Sequence, residues 1–159
     1  MGLATGEVVI GTIGSDVTKS YTVIGDVVNI ASRLEGVNKA YGTQIIIEEA
    51  TYRFAQNAIE VRELDLLTVA GKSEPLRVYE LVCRAGERTP ELSELHAIFA
   101  AGLAAYRAQD WQSAELRFVE CLALKGGNGP SRVFQHRVQV LRAAPPSAGW
   151  DGVWRHTEK

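Results

Sequence analysis

Short apolar clusters separated by glycine and polar residues recur along the first 84 positions, and one longer stretch repeats its apolar residues every three or four positions. The short clusters predict strands within 6–15, 21–24, 43–47, 59–69 and 76–82. A short helix is predicted at 48–56, and polar turns are predicted at 16–20 and 71–75. Because strands alternate with helical segments, this part of the chain is predicted to be α/β.

The first cluster, GEVVIGTIGS, is apolar without alternation, so we expect a strand that is buried on both faces and pairs with the next strand as a hairpin. Gly11 and Gly14 lie within it. A glycine in a strand often marks a place where a ligand or another backbone approaches closely. It also makes room for a packed helix, and the residues alone leave both interpretations open.

The longer stretch predicts a helix that starts after Gly25 and stops near Gly42, with Asp26 as its N-cap. Its buried face is predicted to consist of Val27, Ile30, Ala31, Leu34 and Tyr41. Asn29 and Arg33 are four positions apart and neighbour each other on nearly the opposite face. An amide beside a fixed cation suits contacts with a sugar and a phosphate. A solvated helix face is the alternative that the spacing also allows.

The composition changes beyond residue 84. Residues 85–90 (AGERTP) are predicted to be a linker, 91–145 a helical unit and 146–159 a tail. The helices are predicted at 92–108, 111–124 and 131–142. Small and aromatic residues at Gly102, Tyr106, Ala114 and Phe118 resemble a single tetratricopeptide repeat, a unit that cannot bury its own faces without a neighbour. The tail contains two tryptophans, which we expect to dock onto another surface.

The chain has 159 residues and a net charge of −2, with no basic stretch, so nucleic-acid binding is not expected. Cys83 and Cys121 match no metal or redox spacing, which suits a reducing compartment. No leader and no apolar run near twenty residues is present, so we expect a cytoplasmic protein without a membrane segment in this chain.

Three ordered segments, GEVVIGTIGS, SYTVIGDVVNIASRLEGVNKAYGTQIII and VAGKSEPLRVYEL, together resemble the C-terminal half of the class III nucleotidyl cyclase catalytic domain. The resemblance covers about residues 1–84. It implies an α/β (α+β) partial catalytic domain of the ferredoxin-like type, followed here by an all-α helical extension. The earlier half of that domain, with its metal-binding aspartates, would lie before Met1. Similar helical tails follow cyclase domains in some bacterial signalling proteins.

In the family, the 3′-hydroxyl of a nucleoside triphosphate attacks its own α-phosphate, assisted by two Mg²⁺ or Mn²⁺ ions, at a head-to-tail dimer interface. The resemblance implies that Asn29 positions the ribose and that Arg33 stabilises charge on the α-phosphate. Lys72 would contact the β- and γ-phosphates. Thr22 occupies the position that helps to select the base, and a bacterial subgroup of adenylyl cyclases has threonine there. ATP is therefore preferred over GTP as the substrate.

The aspartates of the first 84 residues are Asp16, Asp26 and Asp65, and none lies in a context similar to the family's metal sites. The histidines, His96, His136 and His156, are scattered, and we expect them on helix surfaces or in the tail. We therefore expect an adenylate cyclase fragment that takes ATP, lacks metal ligands and is inactive alone. Its partner would be a second copy, forming a homodimer, or the missing N-terminal half, and activity is expected on mixing with that half. The helical tail would bind a protein partner. The alternative is a catalytically inert, cyclase-derived interaction module.

Overall fold

The computed structural model describes residues 1–14, 19–68, 74–125 and 128–155. The strands are β1 (Gly2–Leu3), β2 (Val9–Gly14), β3 (Lys19–Ile24), β4 (Ile46–Glu48), β5 (Ile59–Leu67) and β6 (Leu76–Arg84). The helices are α1 (Asp26–Tyr41), α2 (Glu49–Ala55), α3 (Pro90–Arg107), α4 (Trp111–Leu124) and α5 (Gly129–Ala143). Lys72, His156 and most of the two predicted turns at 16–20 and 71–75 lie outside the described residues.

Four of the strands form one mixed sheet in the order β1-β4-β6-β5. The short β1 runs parallel to β4, and the β4–β6 and β5–β6 pairs are antiparallel. Ile46 and Ile47 of β4 are fully buried, as expected for a strand with neighbours on both sides. The bounds of β5 and β6 agree with the predicted strands. The predicted α/β character of the first 84 residues is therefore confirmed.

Helix α1 packs on this sheet through an apolar cluster that Leu34 forms with Ile46, Leu64 and Val78. The backbone of β1 lies directly against the backbone of α1. A Cβ atom added at Gly2 would lie 2.2 Å from the carbonyl oxygen of Ala31, so only glycine fits there. Leu34 and Tyr41 are buried as predicted, whereas Val27, Ile30 and Ala31 are half-buried.

The start of α1 differs from the prediction by one residue. The N-cap is Gly25 and not Asp26, and no side chain caps the helix. Asp26 is the first helical residue, where its charge still suits the positive end of the helix dipole. A Cβ atom at Gly25 would lie 2.9 Å from the carbonyl oxygen of Glu7, and this close approach fixes glycine before the helix. Gly42 ends the helix with a φ of 64°, which confirms the predicted glycine stop.

β2 and β3 form a separate two-stranded antiparallel sheet, which confirms the predicted hairpin. Its apolar side chains are nevertheless exposed, with Val9 at 70% and Tyr21 at 78%. The expectation of a strand buried on both faces is wrong, because β2 pairs only with β3 and the described residues cover neither face. At Gly11 no described atom lies within 4 Å of an added Cβ atom. This glycine therefore does not make room for a helix among the described residues.

Helices α3, α4 and α5 form within two residues of their predicted bounds. They enclose an aromatic cluster in which the ring of Phe118 lies 5.5 Å from that of Phe99 and 5.2 Å from that of Phe134. Gly102 faces Phe118, whose ring would lie 2.9 Å from an added Cβ atom, so α3 and α4 approach closely. Tyr106 and Ala114 are also fully buried in this cluster. The relation of this arrangement to a tetratricopeptide repeat stays a prediction.

A buried polar network joins the sheet to the helices. Arg137 Nη1 of α5 lies 2.6 Å from Asp65 Oδ2 of β5, and Arg137 Nη2 donates to the hydroxyl oxygen of Tyr41 at 2.8 Å. The Tyr41 hydroxyl in turn donates to Asp65 Oδ2 at 2.5 Å. Burial raises the pKa of Tyr41, so its hydroxyl stays protonated and keeps donating. The division of the chain at residues 85–90 stays a prediction, and these contacts cross it.

The tail docks onto the chain's own helices. Trp150 packs edge-on against Tyr106 at 5.1 Å and near Trp111 at 5.9 Å between ring centroids. Val153 is buried, and the ring of Trp154 lies 5.2 Å from the Arg137 guanidinium. The expected docking of the tail is therefore confirmed. Among the described residues, none of the helices is long and apolar enough to cross a bilayer.

Candidate functional site

The predicted substrate residues that the structure describes lie on two consecutive elements. Thr22 is half-buried in the middle of β3, opposite Gly11 of β2. β3 ends at Ile24, and a single residue separates it from α1. Asn29 and Arg33 are both exposed in the first half of α1. Lys72, the fourth predicted residue, lies outside the described residues.

The backbone explains why the first three residues are near the surface. Asn29 and Arg33 are one turn apart, so about 6 Å of helix axis separates them and their side chains point to the same side. The empty space above Gly11 leaves the hairpin surface beside Thr22 open. None of the three residues lines the clefts of about 400 and 320 Å³ that lie elsewhere among the described residues. Asn29 and Arg33 thus lie on an exposed face of α1, and Thr22 lies on the strand that precedes this helix.

One cleft, of about 400 Å³, lies beside the start of α1 and has acidic residues in its lining, among them Glu7, Asp26 and Glu74. Glu48 also lines it, but this carboxylate is engaged as the N-cap of α2. It accepts from the amides of Ala50 at 2.7 Å and of Thr51 at 2.8 Å. Glu48 is therefore not free to bind a ligand in this cleft.

The described residues do not fit a magnesium or manganese site. No group of three or more histidine, cysteine, aspartate or glutamate side chains in this part of the chain could hold an ion. Asp65, the most buried of the described aspartates, is engaged by Arg137 and Tyr41. Asp16 lies outside the described residues.

A second cleft, of about 320 Å³, lies between strands β5 and β6 and helices α3 and α5. Its lining includes Arg62, Glu80, His96 and Asn128. The expectation that His96 lies on a helix surface is wrong, because only 9% of this residue is exposed. The spacing contained the signal, since His96 lies four residues after Leu92 and therefore continues an apolar helix face. His136 is exposed, as predicted.

Burial lowers the pKa of His96 to about 4, helped by the cations Arg62, Arg88 and Lys125. The folded protein therefore holds His96 neutral at pH 7. In the unfolded chain the imidazole binds a proton below about pH 6.5. Because the folded pKa is the lower one, stability is lost as the pH falls from about 6.5 towards 4, and the loss levels off below that.

We expect His96→Gln to reduce the acid-dependent loss of stability between pH 6.5 and 4 by about 3 kcal/mol, since glutamine does not titrate. Urea unfolding at several pH values gives the free energy of unfolding as a function of pH. The effect is the difference between the slopes of these two curves for the wild type and the variant. Asp110 and Asp151 also have lowered pKa values, but they contribute equally to both proteins. Parallel pH profiles would contradict a neutral buried His96.

The sequence model described as the adenylate and guanylate cyclase catalytic domain matches residues 1–82 of the chain. "Adenylate cyclase 1" of Rhizobium meliloti is 40% identical over 81 residues, which are 51% of this chain and 12% of that protein. "Adenylate cyclase, terminal-differentiation specific" of Dictyostelium discoideum is 29% identical over 143 residues, which are 86% of this chain and 7% of that protein. An alignment of that length includes most of the helical part. The chain thus spans about a tenth of the length of these curated relatives.

Among solved structures, the adenylyl cyclase CyaB from P. aeruginosa is 32% identical, with a TM-score of 0.46, over 55% of this chain and 44% of that chain. The guanylyl cyclase Cya2 is 30% identical, with a TM-score of 0.47, over 55% of this chain and 44% of that chain. In both, the similarity is limited to about half of each molecule.

Proposed function

The chain belongs to the adenylate and guanylate cyclase catalytic domain family, and from this premise we propose that residues 1–84 supply the substrate-contacting half of an adenylyl cyclase site. The reaction would convert ATP to 3′,5′-cyclic AMP and pyrophosphate. The observation that carries the proposal is the exposure of Asn29 and Arg33, one turn apart, on the helix that directly follows the strand of Thr22. A purely structural helix face does not need this pair.

Each residue has a role that its chemistry allows. Asn29 would hold the ribose through its amide, which both donates and accepts hydrogen bonds. Arg33 would place its planar guanidinium against the α-phosphate as negative charge develops there. Lys72 would contact the β- and γ-phosphates. The Thr22 hydroxyl, which also donates and accepts, would face the adenine edge.

The site would be completed by a second copy or by the N-terminal half of the catalytic domain. The hairpin exposes several apolar side chains: Val9, Ile10, Ile13, Tyr21, Val23 and Ile24. Val8, just before β2, is also exposed. A soluble domain seldom leaves so many apolar residues together in water, and exposed strand edges attract further strands. The Mg²⁺ or Mn²⁺ that the family generally uses would be held by the N-terminal half, since the described residues, which a second copy would repeat, do not fit such a site.

Three further parts of the proposal extend beyond the site. The four-stranded sheet and α1 would belong to a ferredoxin-like fold that the partner half completes. Residues 91–145 would be a tetratricopeptide-like unit with a protein partner of its own. The protein would work in the cytoplasm, where ATP is available and where Cys83 and Cys121, both free, would stay reduced.

The proposal is tested by reconstitution. The 159-residue chain is mixed with a separately prepared N-terminal half of the catalytic domain of the Rhizobium meliloti relative, ATP and Mn²⁺, and the product is measured by chromatography. We expect cyclic AMP from the mixture and none from either component alone. Sedimentation shows whether the two halves associate. Association without product would refute the catalytic role.

Thr22 provides a test of base recognition in the same assay. We expect Thr22→Asp to keep part of the ATP activity, because a carboxylate can still accept a hydrogen bond from the amino group of adenine. Thr22→Val should lose about tenfold in kcat/KM, since an unpaired polar edge of the base is costly to bury. Thr12→Val is the matched control, because Thr12 is an exposed residue of the neighbouring strand. Equal activity of the wild type and Thr22→Val would show that Thr22 serves the structure of β3 and does not recognise the base.

A further inference from the structure

The 320 Å³ cleft between β5, β6, α3 and α5 contains a rigidly held arginine. Arg62 is 7% exposed, and its Nε donates to Glu80 Oε2 at 2.9 Å. Its Nη1 donates to Asn128 Oδ1 at 3.1 Å, and the guanidinium lies 4.8 Å from the centroid of the Phe99 ring. Glu80 neutralises this cation. Arg62 therefore holds Glu80 and Asn128 in place, but its own charge contributes little to binding an anion.

These bonds fix the orientation of the Asn128 amide. Asn128 Oδ1 accepts from Arg62 and also from the backbone amide of Ser131 at 3.3 Å, so the oxygen side of the amide is determined. The Nδ2 group must point the other way. It is buried and has no acceptor among the described residues. Asn128 is 4% exposed and lines the cleft. Its amide group is thus a firmly positioned hydrogen-bond donor without a described partner.

Other groups around the cleft favour a single negative charge. His96 lines it and is held neutral, and its Nδ1 is buried without a described partner. The ionised lining residues are Arg62, Lys125 and Glu80, which sum to one positive charge. Asn128 is also the N-cap of α5, so the positive end of this helix faces the same space.

Leu81, Val82, Leu92 and Leu95 supply an apolar part of the lining, beside the polar residues Thr43 and Gln44. A cleft of about 320 Å³ is at the small end of the range for organic ligands. We propose that this cleft binds a small organic carboxylate of a few carbon atoms. One carboxylate oxygen accepts from Asn128 Nδ2, the other faces Lys125, and the hydrocarbon part lies against the leucines.

This site is separate from the proposed catalytic surface. Gly42 lines the cleft at the C-terminal end of α1, whereas Asn29 lies in its first turn. Their separation of thirteen positions corresponds to about 20 Å of helix. Because the cleft is formed by both the sheet and the helices, a bound carboxylate stabilises their contact. The inference does not depend on cyclase activity.

The test uses the full chain with propionate and with its neutral isostere, propionamide, followed by calorimetry and by the side-chain NMR signals of Asn128. We expect a millimolar dissociation constant for propionate and at least tenfold weaker binding of propionamide. The thermal midpoint should rise by about 2–5 °C at ten times the dissociation constant. Equal binding of the two compounds overturns the proposal, as does tighter binding of inorganic phosphate. Absence of any effect would mean that the cleft holds only water.

Variants locate the site. Asn128→Asp keeps the oxygen that accepts from Arg62 and Ser131 but replaces the donor with a negative group, so binding should weaken at least tenfold. Lys125→Gln should weaken binding about two- to threefold, because this rim cation is exposed and screened. Lys39→Gln, on the exposed face of α1, is the matched control and should bind like the wild type. Wild-type affinity in Asn128→Asp would refute the assignment, and Lys125→Gln tests it even if the first variant does not fold.

Discussion

Arg137→Met is expected to lower the free energy of unfolding by about 3–5 kcal/mol, because it leaves the Asp65 carboxylate buried without its cation. Asp65 is 1% exposed, and the Arg137 side chain is 9% exposed. The remaining donors to this carboxylate would be the Tyr41 hydroxyl and the backbone amide of Leu66. Two neutral donors do not replace a charge-assisted hydrogen bond of 2.6 Å.

The loss should also separate the helices from the sheet. Arg137 lies on α5 and Asp65 on β5, and the guanidinium additionally lies 5.0 Å from the ring centroid of Phe134. Methionine fills a similar volume, so lost packing contributes less than the lost charge. Urea unfolding followed by tryptophan fluorescence and by circular dichroism measures the effect. Divergence of the two curves would show that the helices unfold first.

Two variants separate charge burial from other causes. Arg142→Met on the same helix removes an exposed pair with Glu115 and should cost at most about 0.5 kcal/mol. Adding Asp65→Asn to Arg137→Met removes the uncompensated charge and should recover more than half of the loss. If the double variant were as unstable as Arg137→Met alone, burial of the carboxylate would not be the cause.

The local signals in the sequence predicted most of the elements. Glycine and proline positions and apolar spacing gave the helices within two residues, because those signals act over one or two turns. The start of α1 was predicted one residue late, since the close approach of the Glu7 carbonyl to Gly25 is a contact between separate segments. A continuous apolar run also has the same pattern whether it faces a helix or solvent. The exposure of the hairpin was therefore not predictable.

The buried ion pairs and hydrogen bonds of the arginines were also not predictable, because they too join separate segments of the chain. Arg137 is 72 residues from Asp65, and Arg62 is 66 residues from Asn128, so no window of sequence contains both partners. Of the candidate site, Thr22, Asn29 and Arg33 were identified by resemblance to a family. The exposure of Asn29 and Arg33 is compatible with the roles assigned to them, which remain proposals. Lys72 lies outside the described residues, so its placement stays a prediction.

Arg33→Ala is expected to lower kcat of the reconstituted cyclase by about two to three orders of magnitude while KM for ATP changes little. In the proposed role the guanidinium contacts the α-phosphate most strongly when the 3′-hydroxyl attacks, and loss of one such donor costs about this much. The side chain is exposed, so its removal should alter the free energy of unfolding by less than about 0.5 kcal/mol. Steady-state kinetics with both halves at saturating concentration separates kcat from KM.

Arg33→Lys keeps the charge but loses the planar pair of donors, so its kcat should lie between those of the wild type and Arg33→Ala. Lys39→Ala removes an exposed cation from the last turn of the same helix and should leave kcat unchanged. A raised KM with unchanged kcat in Arg33→Ala would assign this residue to ground-state binding of the triphosphate. A loss of equal size in Lys39→Ala would show that the overall charge of α1, and not a contact by Arg33, supports the reaction.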